Sequence, residues 1–283
     1  VTTIDKALTL LACFSSEAPS RKLTELAHES GMSKAGVFRY LSGLTNAGLV
    51  EQDPETRQYR LGAEVIRLAQ VRDNSLPIRK WMRTLLAQIT DRTGETCHAG
   101  LVSQGRLFTY MVNDSPKSLQ VRIDPGINLP YHATASGQIF LAFASDEFVD
   151  AQLSTNLSAY TDTTVTDPDR IRDRCLTFRQ QGYSMSEGGV ETDVISVASA
   201  FFDAMGQPAG TIAIQAPAVR MPAEMISTYG LLLRQIAVMA TRHYGGEVPG
   251  QFPISPEVPI SPEVPNSPGR TLSGNTENEV AKC

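Results

Sequence analysis

The run Lys22 to Leu61, KLTELAHESGMSKAGVFRYLSGLTNAGLVEQDPETRQYRL, decides how the N-terminal part of this chain folds. Leu23, Leu26 and Ala27 take the i, i+3, i+4 spacing of a short amphipathic helix, and Gly31 supplies the left-handed residue that ends it. Ser33 is an N-cap for the next helix, which has Val37, Leu41 and Leu44 on its buried stripe and stops at Gly48. Leu49-Val50-Glu51 and Gln58-Tyr59-Arg60-Leu61 flank a polar turn around Asp53-Pro54-Glu55 and read as a hairpin. Upstream, Ile4, Ala7, Leu8, Leu10 and Leu11 predict a first helix with one buried face. Two helices joined by a short Gly-containing turn form a helix-turn-helix, and the hairpin behind them would be its wing.

Ser33 at the start of the third helix, and Lys34, Ala35, Gly36, Phe38, Arg39 and Ser42 outside its buried stripe, are the candidate DNA-binding residues. Lys34 and Arg39 suit phosphate or guanine, small residues at Ala35 and Gly36 permit close approach, and a helix N-terminus favours phosphate. Arg57, near the wing tip, would reach an adjacent groove or the sugar-phosphate chain. The formal net charge of −5 argues against a nucleic-acid partner only if it is spread evenly. It is not: Ser30 to Val50 holds Lys34 and Arg39 and no acid, and DNA binding needs a local face rather than a basic chain. Periodicity alone also fits a plain helical bundle with a solvated face.

Extended to Ala69, the run resembles the DNA-binding domain of the IclR family of bacterial transcription regulators. The resemblance is carried by Leu23-Thr24-Glu25-Leu26-Ala27, Gly31-Met32-Ser33-Lys34, Val37-Phe38-Arg39-Tyr40-Leu41, Ala47-Gly48-Leu49-Val50-Glu51 and Tyr59-Arg60-Leu61-Gly62. Many members have Ser-Thr where this chain has Ala35-Gly36, so two hydroxyls that bond phosphates or bases are missing. That departure bears on the operator sequence, not on binding itself.

The resemblance continues through about Gly246. Leu129 to Gln138 (LPYHATASGQ) is similar to a family segment that leads into a helix through Ala144, and Arg179-Gln180-Gln181-Gly182-Tyr183 precedes a variable loop. Ile195 to Phe202 and Gly210 to Ala216 are apolar, β-branched runs around a short turn, as in an antiparallel pair. The resemblance implies a two-domain α+β protein, an N-terminal winged helix-turn-helix plus a C-terminal GAF-like α/β effector domain with an antiparallel sheet. Domain bounds are expected at 1–62 for the winged helix, 63–93 for linker and dimerisation helices, 94–246 for the effector domain and 247–283 for a Pro-rich tail. The tail carries the repeat ISPEVP-ISPEVP-NSP over Ile254 to Pro268, whose prolines and few apolar residues predict disorder.

Thr134 reads as an N-cap that aims the amides of Ala135, Ser136 and Gly137 out of a helix start, a site suited to carboxylate. What the resemblance implies for the rest of an effector pocket is Val121, Ser186, Asp193, Ser196, Ala213 and Gln215, with a small organic acid or aromatic metabolite as the effector. Asp193, Ala213 and Gln215 depart from the family pattern. Partners expected are double-stranded operator DNA, the effector and a second copy of the chain, with dimers paired into tetramers. Repression is favoured over activation of a catabolic operon.

Catalysis is not expected. Cys97-His98 point to opposite faces of a strand, Ser136 lacks the G-x-S-x-G elbow, and no P-loop, dinucleotide fingerprint or H-E-x-x-H is present. The four cysteines, Cys13, Cys97, Cys175 and Cys283, show neither disulfide nor zinc spacing, so no cofactor or metal is expected. A metal or redox sensor built from Cys97, His98, His132 and Cys175 is the rival reading. No apolar run approaches a bilayer span and no signal peptide is evident, which points to the cytoplasm and away from a membrane.

Overall fold

The structure, a computed structural model, describes residues 2–15, 18–74 and 78–254. Helix α1 (Thr3–Ala12) opens on a capping box in which the Thr2 hydroxyl accepts from the Asp5 amide while the Asp5 carboxylate accepts from the Thr2 amide. Helix α2 (Leu23–Ser30) ends at Gly31, φ 66°, and α3 (Lys34–Asn46) begins under Ser33. Leu10, Leu26, Val37 and Leu41 are fully buried where the three helices meet, with Tyr40 beside them. Ile4 and Leu8, expected on the buried face of α1, are instead 70% and 55% exposed. The core is reached instead by Ala7, Leu10 and Leu11, with Cys13 at the end of the helix.

The hairpin β2 (Val50–Gln52) and β3 (Tyr59–Leu61) pairs Glu51 with Arg60, whose side chains form a 2.5 Å ion pair. A short strand β1 (Ser20–Arg21), absent from the sequence reading, adds to β3 and gives the order β1-β3-β2.

The stretch expected to be one connecting region is two different things. Helix α4 (Ala63–Asn74) exposes Ile66, Leu68 and Val71. Helix α5 (Ile78–Thr93) buries Met82, Leu85, Leu86 and Ile89 against the sheet of the second domain, so it is part of that domain's core. The sheet is antiparallel, in the order β5-β4-β8-β7-β6: β4 (Thr96–Ser103), β5 (Arg106–Asn113), β6 (Ser184–Glu187), β7 (Val194–Phe202) and β8 (Pro208–Pro217). Both faces are covered, which explains the nearly unbroken apolar runs of β7 and β8. Ile195, Val197, Phe201, Ile212 and Ile214 face α5 and the long helix α9 (Ala223–His243), while Ala198, Ala200, Phe202 and Ala213 face the other core. That second core is built on α6 (Ala135–Phe143), α7 (Asp146–Leu153) and α8 (Pro168–Gln181).

Residues 247–254, expected as the start of the tail, pack on this domain. Phe252 is 3% exposed, with ring centroids 5.4 Å from Phe143 and 5.3 Å from Phe202. The turn that brings it there needs Gly246, because a Cβ would lie 1.9 Å from the Phe202 carbonyl oxygen. The rest of the Pro-rich repeat lies outside the described residues.

Candidate nucleic-acid interface and effector pocket

The sequence around α3 shapes a polar, partly apolar outer face. The Ser33 hydroxyl accepts from the Gly36 amide at 3.2 Å and so serves as the cap. Lys34, Ala35, Phe38 and Arg39 are exposed, and Gly36 and Ser42 half-buried. Arg39 does not extend freely: its guanidinium donates to the Tyr40 hydroxyl at 3.1 Å and stacks 5.1 Å from that ring. The Ser42 hydroxyl donates to the Phe38 carbonyl at 2.8 Å. At the wing, Asp53 accepts from the Thr56 amide at 2.7 Å and its hydroxyl at 2.9 Å, which holds the Asp53 carboxyl below its ordinary range. Arg57 leaves this turn exposed with φ 59°.

The second candidate site is a cavity of about 100 Å³ between the sheet, the loop after β6 and the segment Arg122–Pro130. Strand register places Thr96, Gln215, Ser196 and Ser186 in one row across the sheet, on the side facing α6. The two ends of the row hold walls. Thr96 donates to the Val121 carbonyl at 2.8 Å, and Ser186 donates to the Ala133 carbonyl at 2.7 Å. The middle pair, Ser196 and Gln215, lines the cavity and forms no side-chain hydrogen bond among the described residues. Arg122 and Glu191 are the exposed charged residues that line the cavity. Gly189 lets the loop close over the site, since a Cβ there would stand 2.1 Å from the Ala133 carbonyl oxygen.

Behind this row lies a drier layer. His98 is 1% exposed, and its Nε2 is 3.3 Å from the Ser136 hydroxyl. Burial pushes its pKa down to about 4, so the imidazole is neutral, and its Nδ1 has no hydrogen-bond partner among the described residues. Cys97, on the opposite strand face, is pushed up to about 12 by burial, and Cys175, pushed up to about 11, sits in the other core.

Two further cavities share a wall with the pocket. One of about 360 Å³ lies under Tyr131, His132 and Tyr160. The other, an open cleft of about 930 Å³, separates Phe14, Ser20 and Leu61 of the winged helix from Ile127, Asn128 and Pro130. Asn128 and Pro130 border all three spaces. Amide donation from Leu129 to Leu107 and from Thr109 to Ile127, each at 2.8 Å, ties this segment to the edge strand β5.

Residues 3–54 match the sequence pattern of the IclR helix-turn-helix domain, and residues 72–241 match that of the bacterial transcriptional regulator IclR C-terminal domain. This chain belongs to the IclR family. A solved IclR-type regulator from Silicibacter sp. TM1040 is 37% identical, covers 89% of this chain and 100% of its own, and superposes with a TM-score of 0.85. The regulator XynR of Escherichia coli K12 is 24% identical over 247 residues, 87% of this chain and 98% of XynR. The transcriptional repressor IclR of the same organism is 25% identical over 249 residues, 87% of this chain and 91% of that protein.

Within this IclR-family chain, the structure draws together Ser186, Ser196 and Gln215 from the expected pocket, with Thr134 beside them. Val121 stands behind the wall, through its carbonyl. Ala135, Ser136, Gly137 and Ala213 are buried beneath the site rather than lining it: the Ser136 hydroxyl is turned to His98, and the Gly137 amide is taken by Thr134 Oγ1 at 2.9 Å. Gly137 is needed there for another reason, a Cβ lying 2.4 Å from Tyr131 Cα. Asp193 is exposed on a left-handed turn, φ 64°, outside the cavity. Arg122 was missed by sequence reasoning. Its signal was its place directly after Val121, but only the pairing of distant strands turns that segment towards Gln215.

Proposed function

We propose that this chain is a repressor that binds operator DNA as a homodimer, through α3 and the wing, and is controlled by a small carboxylate in the pocket of Ser196 and Gln215. The single observation that carries the effector reading is a pair of polar side chains, without a hydrogen bond among the described residues, facing a small cavity that Arg122 also lines. Such a site pairs an anion with Arg122 and offers Ser196 and Gln215 to the rest of the molecule. A solved IclR homologue from Microbacterium hydrocarbonoxydans is complexed with 4-hydroxybenzoate, a compound of that class. Relatives named as repressors, IclR of E. coli and the acetate operon repressor of Salmonella typhimurium, support the sign of regulation.

The exposed apolar side chains Ile4 and Leu8 on α1, with Ile66, Leu68 and Val71 on α4, are the surfaces that a second copy covers. Dimers pair into tetramers, and two α3 helices then meet successive major-groove faces of a pseudo-palindrome. The protein works in the cytoplasm and carries no catalytic role. Among the described residues no helix is long and apolar enough to cross a membrane.

Gel shifts over a salt series test the DNA reading. Lys34→Ala and Arg39→Ala should weaken binding and lower the salt slope by about one each; operator affinity unchanged in both would overturn the assignment of α3. Thermal-shift screening with small carboxylates tests the pocket. A hit should stabilise the wild type and lose most of its effect in Arg122→Ala; no response to any carboxylate would sink the effector class. Deletion of the gene that lowered transcription of its target would make the protein an activator.

A further inference from the structure

We infer that this chain reads its operator partly through the 5-methyl group of thymine, packed against Phe38 and Ala35 on α3. The inference rests on the reading of α3 as the DNA-contacting helix. Phe38 is 58% exposed and belongs to none of the hydrophobic clusters, although it sits on a helix whose Val37, Tyr40, Leu41 and Leu44 are all buried. Ala35 lies one turn before it on the same outer face, and three positions apart on a helix makes them neighbours.

The hydroxyl groups around this pair are committed elsewhere. The Ser42 hydroxyl is bound to the Phe38 carbonyl and the Ser33 hydroxyl to the Gly36 amide, while Arg39 donates one guanidinium N–H to Tyr40 and keeps its charge and remaining donors at the edge of the face. What the middle of the face presents is a methyl, a glycine and a phenyl ring, with Lys34 and Arg39 at its flanks. In the major groove, base edges offer hydrogen-bond donors and acceptors to polar side chains. The thymine methyl is the one apolar group there, and Ala and Phe are among the side chains that contact it. Flanking cations suit the phosphates on either side of such a contact, and they fit an apolar protein partner badly. The absence of side chains at Gly36 and beyond Cβ at Ala35 brings the helix close enough for a methyl to be felt.

The test uses the full-length protein. Its operator is enriched from random duplexes, and each thymine is then replaced singly by deoxyuridine, which removes only the methyl. At one or two symmetry-related positions in each half-site the replacement should weaken binding about four-fold, the worth of one buried carbon. Phe38→Ala should bind the thymine and uracil operators equally while keeping the wild-type salt slope, and Phe38→Leu should lie between. Because Phe38 is exposed, both variants should keep the wild-type melting temperature. Thymine-to-uracil replacement without effect at every position, or a full methyl preference surviving in Phe38→Ala, overturns the inference while leaving α3 as the reading helix. If no sequence is enriched at all, the DNA-reading assignment falls and the inference falls with it.

Discussion

Replacing Glu95 by Gln should destabilise the effector domain, because the carboxylate is 3% exposed and holds two cations. Arg220 reaches it with Nε at 2.8 Å and a terminal nitrogen at 2.7 Å, and Lys117 Nζ lies 2.7 Å away. Burial alone would raise this carboxyl; the hydrogen bonds and charges of Arg220 and Lys117 outweigh it and hold the group below the usual range. Breaking a fully buried pair costs about 3–5 kcal/mol. The side chains of Arg220 and Lys117 are 25% and 41% exposed, so water takes up part of their charge in the variant. About 2–3 kcal/mol is left after that discount, or a melting temperature lower by about 5–10 °C. The pH dependence follows from the lowered value: the contribution is complete above the unfolded-state pKa of about 4.3 and disappears as pH falls through the folded value. Urea titrations of both proteins at pH 7 should show the full gap, and the gap should narrow below about pH 4. Equal stability at pH 7, or a gap that persists undiminished to pH 3, would refute the reasoning. Arg220 also donates to the Leu119 carbonyl at 2.9 Å, so the variant should bind effector more weakly through a loosened approach to Arg122.

Two other outcomes are expected. Phe252→Ala should cost about 3–5 kcal/mol in urea unfolding, as for a buried aromatic ring removed from a packed core; a loss under 1 kcal/mol would mean that residues 247–254 do not rest on Phe143 and Phe202. His98 has a folded pKa depressed to about 4, so wild-type stability should decline as pH drops from about 6.5 towards 4, by up to about 3 kcal/mol from this group. His98→Asn removes that titration, and a difference between the two proteins that stays constant over this window would show that His98 is not held neutral.

How much of this was legible in the sequence depended on the distance over which each feature is determined. The caps at Ser33 and Thr134, the left-handed stop at Gly31 and the pairing of β7 with β8 are local, and the residues themselves announce them. The stripe on α1 announced an apolar face but not its partner, and among the described residues nothing covers Ile4 and Leu8. Phe252 hides in a polar, Pro-rich stretch, and its burial is set by Phe143 and Phe202, far away in sequence. The pocket was least legible, because its row joins Thr96 to Gln215 and Ser186 to Ser196 through register across four strands. The family resemblance put Asp193 in the pocket; a left-handed turn takes it out to solvent.

The segment that carries Asn128 and Pro130 lines both the pocket and the open cleft towards Phe14 and Leu61. A shared wall has no private face. If the pocket binds the effector as proposed, a substitution at Asn128 that swells it should also reshape the cleft facing the winged helix, so one amino-acid change should alter sensing and operator occupancy together. Screens for variants blind to effector and screens for variants locked on DNA should therefore converge on the same few codons, and only affinities measured separately for each ligand will tell the two phenotypes apart.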